Sequence, residues 1–170
     1  MAKITFVDKN DNIIGAGTGA EAREKGIYHR ISRIFLFNSK DELLIQKRSD
    51  TATTLPKRWD QSAAGHVDEG EDYLTAAKRE LEEEVGVQGI ELAEKGKFFT
   101  DEKDQPGKIV KRFNMLYTGT YDGAIKPNPE EVSEVRWIKP EELNRWMDEK
   151  PNDFTEGFIK NYKHLQNSSN

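Results

Sequence analysis

Residues 65–87, with the sequence GHVDEGEDYLTAAKRELEEEVGV, crowd acidic side chains near the end of a predicted helix. Four of these acids, Glu80, Glu82, Glu83 and Glu84, surround a single leucine. The helix dipole disfavours negative charge at a C-terminus, and neighbouring carboxylates repel one another. Because this placement weakens a helix, it indicates that the acids serve a purpose other than stability.

An apolar stripe predicts the helix itself, over residues 72–85. Its members recur at i, i+3, i+4 spacing: Leu74, Ala77, Leu81 and Val85. Asp72 is a suitable N-cap and Gly86 a suitable C-cap.

Three of the acids, Glu80, Glu83 and Glu84, fall on one face beside this stripe, since residues three and four apart are neighbours on a helix. Glu82 lies further round, toward solvent. Arg79 precedes Glu83 by four residues and can orient its carboxylate. Mg²⁺ prefers oxygen ligands, so the face indicates a metal site. The alternative is a solvated acidic face, which an arbitrary run of glutamates usually forms.

The surrounding spacing favours the metal site. It reads G, five residues, E, seven residues, then R-E-L-x-E-E-x-G-V. This pattern resembles the Nudix box, the signature of the Nudix hydrolase family, and it is matched at Gly65, Glu71, Arg79, Glu80, Leu81, Glu83, Glu84, Gly86 and Val87.

The resemblance implies a hydrolase that cleaves a nucleoside diphosphate linked to another group, with Mg²⁺ or Mn²⁺ as cofactor. It implies that Glu80 and Glu84 are metal ligands, and that Glu83 is a third ligand or the base that activates water. Arg79 would hold a glutamate in place, and Glu71 would brace the loop or reach the metal through water.

Further residues follow from the same resemblance. Gly65 would permit a tight turn from strand to loop, with a nearby backbone carbonyl facing the metal. In this family the base sometimes lies outside the box, and Glu131 and Glu134 are the candidates here. Arg48 and His66 are candidates for binding substrate phosphate.

A narrower resemblance, to bacterial Nudix proteins related to isopentenyl diphosphate isomerase, involves the stretch WDQSAAGH. The isomerase carries an essential cysteine there, whereas this chain has Ala64 and contains no cysteine. His29, His66 and Glu131 roughly match three of the isomerase's metal-binding positions. The residues therefore indicate isomerase-like descent and hydrolytic chemistry.

Composition limits the remaining possibilities. With 170 residues and a net charge of −5, a single domain over residues 1–170 is expected, with residues 1–28 as an N-terminal extension. The absence of cysteine excludes disulfides and thiolate chemistry. We expect a cytoplasmic protein that binds a small-molecule diphosphate, with neither a membrane nor a nucleic-acid polymer as partner. The sequence does not decide whether it forms a homodimer.

The expected fold is α/β: a Nudix-type α/β/α sandwich with a mixed β-sheet and an N-terminal β-hairpin. Before the acidic helix, the sequence predicts a hairpin in residues 3–18, a short helix ending at Gly26, a strand pair within residues 29–49, a loop at 51–59 and a strand at 62–67. After it, the sequence predicts strands at 89–99 and 109–121 with a polar loop between them, and a strand through Val135 and Ile138. A helix from Pro140 and a helix at 153–165 complete the chain of predicted elements.

Three functions compete at this stage. The intact box favours a metal-dependent pyrophosphohydrolase, with water attacking phosphorus. An isomerase is disfavoured by the missing cysteine. A nucleotide-sensing or binding domain without catalysis is disfavoured by the complete set of acids.

Overall fold

One mixed sheet joins the nine strands found in the residues that the computed structural model describes, 2–105 and 107–168. The strands are β1 Ile4–Val7, β2 Ile13–Gly17, β3 His29–Phe37, β4 Leu43–Arg48, β5 Trp59–Asp60, β6 Ala63–His66, β7 Ala93–Gln105, β8 Lys108–Thr120 and β9 Val132–Ile138.

Four α-helices accompany this sheet: α1 Gly19–Lys25, α2 Tyr73–Val85, α3 Pro140–Glu149 and α4 Glu156–Ser168. A 3₁₀ turn at Pro151–Asp153 separates the last two. Pro140 opens α3, as predicted. No helix within the described residues is long and apolar enough to cross a membrane.

Strand β3 organises the sheet. It runs parallel to β8 along its whole length and antiparallel to β6 and β1. The predicted pairing of β3 with β4 is limited to Phe37 and Leu43, after which β4 pairs with β9 instead. Since β5 pairs with β4 and β6 with β3, residues 59–66 connect the two diverging strands.

Alternation along β3 divides the core into two layers, because successive side chains of a strand point to opposite faces. Ile34 and Leu36 pack with Leu81 and Val85 of α2. Phe35 packs on the other face with a larger cluster that draws on α3 and α4. The predicted α/β/α sandwich with a mixed sheet is therefore confirmed.

Helix α2 matches its prediction at both ends. Asp72 is the N-cap and accepts a hydrogen bond from the Thr75 N–H, while Gly86 is the C-cap, with φ of 71°. One member of the predicted stripe differs, because Leu74 is exposed and Ala76 is buried in its place.

The polar loop predicted after residue 99 is wrong. Strands β7 and β8 form a long hairpin whose register extends to Gln105 opposite Lys108. Opposite charges face each other across it, as at Asp101 and Lys111, and such cross-strand pairs stabilise a sheet of polar composition. Pro106, within the predicted loop, lies outside the described residues.

The N-terminal hairpin of β1 and β2 is fixed to the sheet through its turn. Asp11 adopts a left-handed φ of 65°, and its carboxylate accepts hydrogen bonds from Arg30 at 2.7 Å, Lys97 at 2.7 Å and the Tyr73 hydroxyl at 2.9 Å. These three donors come from β3, β7 and α2. The buried side chain of Asp11 thus connects the N-terminal hairpin to three elements of the core.

Candidate active site

Close approach between β6 and α2 defines the centre of the site. A Cβ atom at Gly65 would lie only 2.1 Å from Cδ of Glu80, so any larger residue would overlap the Glu80 carboxyl group. Gly65 pairs with Ser32 in the sheet and has no room on its helix-facing side. The box glycine is therefore needed here for space.

Glu80 and Glu84 form a carboxyl pair one helical turn apart. Glu84 is 7% exposed. Its two oxygens accept hydrogen bonds from Gln46 Nε2 at 2.7 Å and, more weakly, from the Ala64 backbone N–H at 3.3 Å. Gln46 also donates to the Ser62 carbonyl at 3.0 Å, so one amide group links α2 to the sheet.

Burial and mutual repulsion strongly affect the ionisation of this pair. Burial raises the pKa of Glu84 well above its ordinary value, and the charge of Glu80 raises it further, against the opposing hydrogen bond from Gln46. Burial likewise raises the pKa of Glu80, although hydrogen bonds from Glu84 and Arg79 oppose the change.

Arg79 holds the neighbouring part of the box together. Its Nε and Nη2 atoms donate to the two oxygens of Glu71, both at 2.8 Å. Its Nη1 donates to Glu80 at 2.7 Å and to Glu83 at 3.3 Å, and its Nη2 also reaches the His66 carbonyl at 3.0 Å. All five N–H groups of the guanidinium thus have acceptors. Glu71 in turn accepts from the Asp68 N–H at 2.9 Å, which closes the loop before α2.

The three acids predicted to share a face are separated in the structure. Glu80 and Glu84 point inward, whereas the side chain of Glu83 is 51% exposed and lies against Arg79. Within residues 2–105 and 107–168, no three acidic or histidine side chains converge closely enough to hold a metal ion. Glu82 is exposed, in agreement with its predicted place toward solvent.

A cleft of about 230 Å³ opens above the carboxyl pair. It is lined by Gln46, Glu80 and Glu84, and also by Arg48 and Glu131. Partial burial raises the pKa of the Glu131 carboxyl, and the charges of Glu83 and Glu130 add to this effect.

The remaining predicted residues divide between the cleft and its surroundings. Arg48 is held by the Thr54 carbonyl at 3.0 Å, with 30% of its side chain accessible. Glu134 does not line the cleft. It lies on β9 opposite Lys47 and is exposed.

His29 and His66 stand side by side, with ring centroids 5.3 Å apart. Nδ1 of His29 faces the Ile27 carbonyl at 3.0 Å, and its Nε2 accepts from Nε of Arg112 at 3.3 Å. Both ring nitrogens are therefore engaged, and burial together with the charge of Arg112 lowers the pKa of His29 to about 4. A neutral imidazole that accepts from a guanidinium has no free lone pair for a metal ion.

His66 differs from its neighbour. Its Nε2 is buried and has no hydrogen-bond partner among the described residues. Burial lowers the pKa of His66 well below the ordinary value, and the charge of Arg112 and the adjacent His29 lower it further. His66 is therefore an uncharged ring with a buried nitrogen that has no partner among the described residues.

Sequence reasoning missed a buried polar network behind the cleft. Arg33, which is 3% exposed, donates to Asn114 at 2.8 Å and to Gln61 at 2.9 Å, and its Nη2 lies 3.4 Å from Glu102. Arg112 lies 3.6 Å from the same carboxylate. Burial opposes the ionisation of Glu102, but the two guanidinium groups outweigh it and lower its pKa.

Two sequence signals point to this network. Thr100 and Glu102 share one face of β7, and Arg112 and Asn114 share one face of β8. The pattern was hidden because residues 100–108 had been predicted as a loop.

Comparison with known proteins identifies the class. A family model described as the NUDIX domain matches residues 27–158. An uncharacterized Nudix hydrolase of Pseudomonas aeruginosa, PA4841, is 40% identical over 138 residues, which is 81% of this chain and 79% of that protein. The chain therefore belongs to the Nudix family and is a hydrolase that acts on pyrophosphate linkages.

Two further relatives refine this result. The isopentenyl-diphosphate Delta-isomerase of Serratia proteamaculans is 32% identical over 163 residues, covering 95% of this chain and 90% of that enzyme. The crystal structure of DR0079 from Deinococcus radiodurans superposes with a TM-score of 0.72 at 25% identity, over 86% of this chain and 88% of that one. The similarity to an isomerase agrees with the descent inferred from the sequence.

Proposed function

We propose that this protein hydrolyses the diphosphate linkage of a small nucleoside diphosphate derivative and that it requires Mg²⁺, for which Mn²⁺ can substitute. The observation that carries this proposal is the buried pair of Glu80 and Glu84 at the base of the cleft. Around the pair, the box residues make the contacts described above.

The carboxyl pair suits a divalent cation in both charge and ligand type. Burial raises the pKa of both carboxyl groups, and the charge of Glu80 raises that of Glu84 further. A hard cation removes that penalty, and its preferred ligands are carboxylate oxygens together with water and phosphate oxygens. Glu80 and Glu84 would hold the ion, and a change in the Glu83 rotamer would bring a third oxygen to it.

Such an ion would polarise a phosphoryl oxygen and neutralise the charge of the departing phosphate. Arg48, which also lines the cleft, would bind a phosphate oxygen. A water molecule would then attack phosphorus in line, its proton passing to a carboxylate as the bridging P–O bond breaks toward the leaving group. Arg79 keeps Glu80 oriented but does not reach the reacting atoms in this arrangement.

Two glutamates are candidates for the base that takes this proton, Glu83 in the box and Glu131 in the cleft wall. A raised pKa makes a carboxylate a stronger base, and Glu131 has one. Glu134 lies outside the cleft and provides a matched control. Glu→Gln variants at the three positions distinguish them by pH profile. Removing the base should lower kcat by about 10²–10⁴-fold and abolish the acidic limb of the pH profile. Glu134→Gln should keep the wild-type kcat and the acidic limb.

The proposed function is tested by release of phosphate or nucleoside monophosphate from a substrate panel, with and without Mg²⁺. Glu84→Gln should abolish metal-dependent turnover, and Glu82→Gln, the exposed neighbour, should retain it. The same pair is compared by thermal unfolding, where Mg²⁺ should raise the melting temperature of Glu82→Gln but not of Glu84→Gln. Equal responses of the two variants, or tight nucleotide binding without turnover by the wild type, would contradict a catalytic metal site.

Isomerase activity is the second candidate, favoured by the similarity to the Serratia enzyme. Two features of the site oppose it. Ala64 occupies the position at which the resemblance places the essential cysteine. His29, which would be a metal ligand, has both nitrogens engaged by Ile27 and Arg112. Incorporation of deuterium from solvent into isopentenyl diphosphate would nevertheless establish isomerisation.

A further inference from the structure

A second cavity adjoins the catalytic cleft on the far side of Glu84. Its volume is about 300 Å³, at the lower end of the range for small-molecule sites. The two spaces share Arg48, Thr53, Ala64 and Glu84 in their walls. A diphosphate bound in the cleft would therefore direct one of its two substituents into this cavity.

Cationic side chains slightly outnumber carboxylates in the lining of the cavity. The cations are Arg23, Arg33, Arg48, Lys103 and Arg112, of which Arg33 is buried, and the carboxylates are Asp60, Glu84, Glu102 and Glu156. Three of these carboxylates are buried, and Glu156 is paired with Lys160 at 2.9 Å. Glu102 is 4% exposed and is balanced by two guanidinium groups, and Asp60, 8% exposed, accepts from the Thr155 hydroxyl at 3.1 Å.

Arg23 gives the N-terminal extension a part in this wall. It belongs to α1, which precedes the segment matched by the family model, residues 27–158. The cavity thus has a cation that the family core does not provide.

The walls also indicate what the cavity does not accept. Among the described residues, no Phe, Tyr or Trp lines it, so it lacks the large aromatic side chains on which nucleobases commonly stack. Its other polar groups include the hydroxyl-bearing residues Thr53, Thr54 and Thr155. His66 also lines it, and the unsatisfied Nε2 of that ring is the kind of buried polar atom that calls for a partner.

We propose, building on the hydrolase function above, that this cavity binds the non-nucleoside end of the substrate and that this end is small, non-aromatic and anionic. Its charged group is a carboxylate or a phosphate on a sugar-sized substituent, held by Arg112 and Arg23. The nucleoside lies on the opposite side of the cleft. Both anions are recognised by guanidinium groups through paired N–H donors.

Matched substrate pairs isolate the extra charge. UDP-glucuronic acid and UDP-glucose differ in a carboxylate, and ADP-ribose 1″-phosphate and ADP-ribose differ in a terminal phosphate. We expect kcat/KM in Mg²⁺ to be roughly 10- to 100-fold higher for the anionic member of at least one pair, the range for hydrogen bonds to a charged group. The pair that discriminates identifies the anion. Dissociation constants measured with Ca²⁺ in place of Mg²⁺ report binding separately from turnover.

Arg112→Gln and Arg23→Gln should each bring the anionic-to-neutral ratio toward one, and Arg112→Lys should retain part of it. Because Arg112 also contacts Glu102, its loss carries a risk of misfolding, and Arg23 on the peripheral helix α1 provides the independent test. Arg145→Gln, on an exposed face of α3, is the control and should leave the ratio intact. A purely structural role would lower both members of a pair equally.

The outcomes separate this proposal from the proposed function. Turnover of both members at equal rates, unchanged in ratio by Arg112→Gln and Arg23→Gln, would overturn the anionic cavity and leave the hydrolase standing. Tighter binding of the anionic member without any turnover would support the cavity and overturn hydrolysis of these compounds. An absence of discrimination in both binding and turnover would overturn the cavity.

Discussion

Gln46 should control the ionisation of Glu84, and replacing it by methionine tests this directly. The substitution approximately preserves side-chain volume and removes the amide N–H groups that reach Glu84 at 2.7 Å and the Ser62 carbonyl at 3.0 Å. Glu84 would then keep only the longer bond from the Ala64 N–H. A hydrogen bond to a charged group contributes about 1.5–3 kcal/mol. Without that bond, the pKa of Glu84, which burial already raises, should rise further.

The assay is the pH dependence of kcat/KM at saturating and limiting Mg²⁺. In Gln46→Met, the ionised form of Glu84 becomes rarer at neutral pH. The acidic limb of the profile should therefore move to higher pH, and half-saturation should require at least roughly 10-fold more Mg²⁺. Gln88→Met, an exposed glutamine beyond α2, is the matched control. If Gln46→Met kept both the acidic limb and the Mg²⁺ requirement within twofold of wild type, Gln46 would not position Glu84.

Three further predictions concern the same framework. In EDTA, the raised folded-state pKa of Glu84 means that its contribution to stability is present at low pH and is lost as pH rises from the ordinary range of a glutamate through the folded-state pKa. Glu84→Gln should therefore gain melting temperature relative to wild type as pH rises. Gly65→Ala should lower activity at least 10-fold by displacing the Glu80 carboxyl, yet cost no more than about 1–3 kcal/mol of stability on denaturant unfolding, because that side chain can rotate away. Asp11→Asn should lower the free energy of unfolding by roughly 3 kcal/mol in the same measurement, because it removes a buried charge that balances Arg30 and Lys97.

Each of these three predictions has its own control variant. Glu82→Gln should show no pH-dependent gain in EDTA, and a gain equal to that of Glu84→Gln would exclude burial as the cause. Gly15→Ala has open space around its Cβ position and should keep full activity. Asp148→Asn, on an exposed face of α3, should leave stability within about 0.5 kcal/mol, and a similar value for Asp11→Asn would refute its anchoring role.

Local patterns in the sequence predicted the features that depend on local physics. The length and caps of α2, the short helix that ends at Gly26 and the alternation of β3 all follow from spacing within one turn or one strand. The carboxyl pair is predictable from the sequence for the same reason, because Glu80 and Glu84 are four residues apart on one helix.

Features that depend on distant contacts were not predictable in this way. Gln46 reaches Glu84 from 38 residues away, and Arg33 meets Glu102 across 69. Nothing in the flanking residues of Gln46 marks it as a partner of a helix that comes much later. The exposure of Leu74 also differs from its prediction, because helical spacing alone does not say how closely the first turn of α2 packs on the sheet.

The five acceptors of Arg79 also bear on how this protein can change over generations. Lysine differs from arginine by a single nucleotide in some codons, so this replacement arises readily by mutation. Lysine has three N–H donors in place of five and lacks the planar fork that holds both oxygens of Glu71. A lineage that acquired it would leave Glu83 or the His66 carbonyl without its donor, and would also loosen Glu80. Few substitutions at this position are therefore selectively neutral, even though the arginine itself need never touch a substrate.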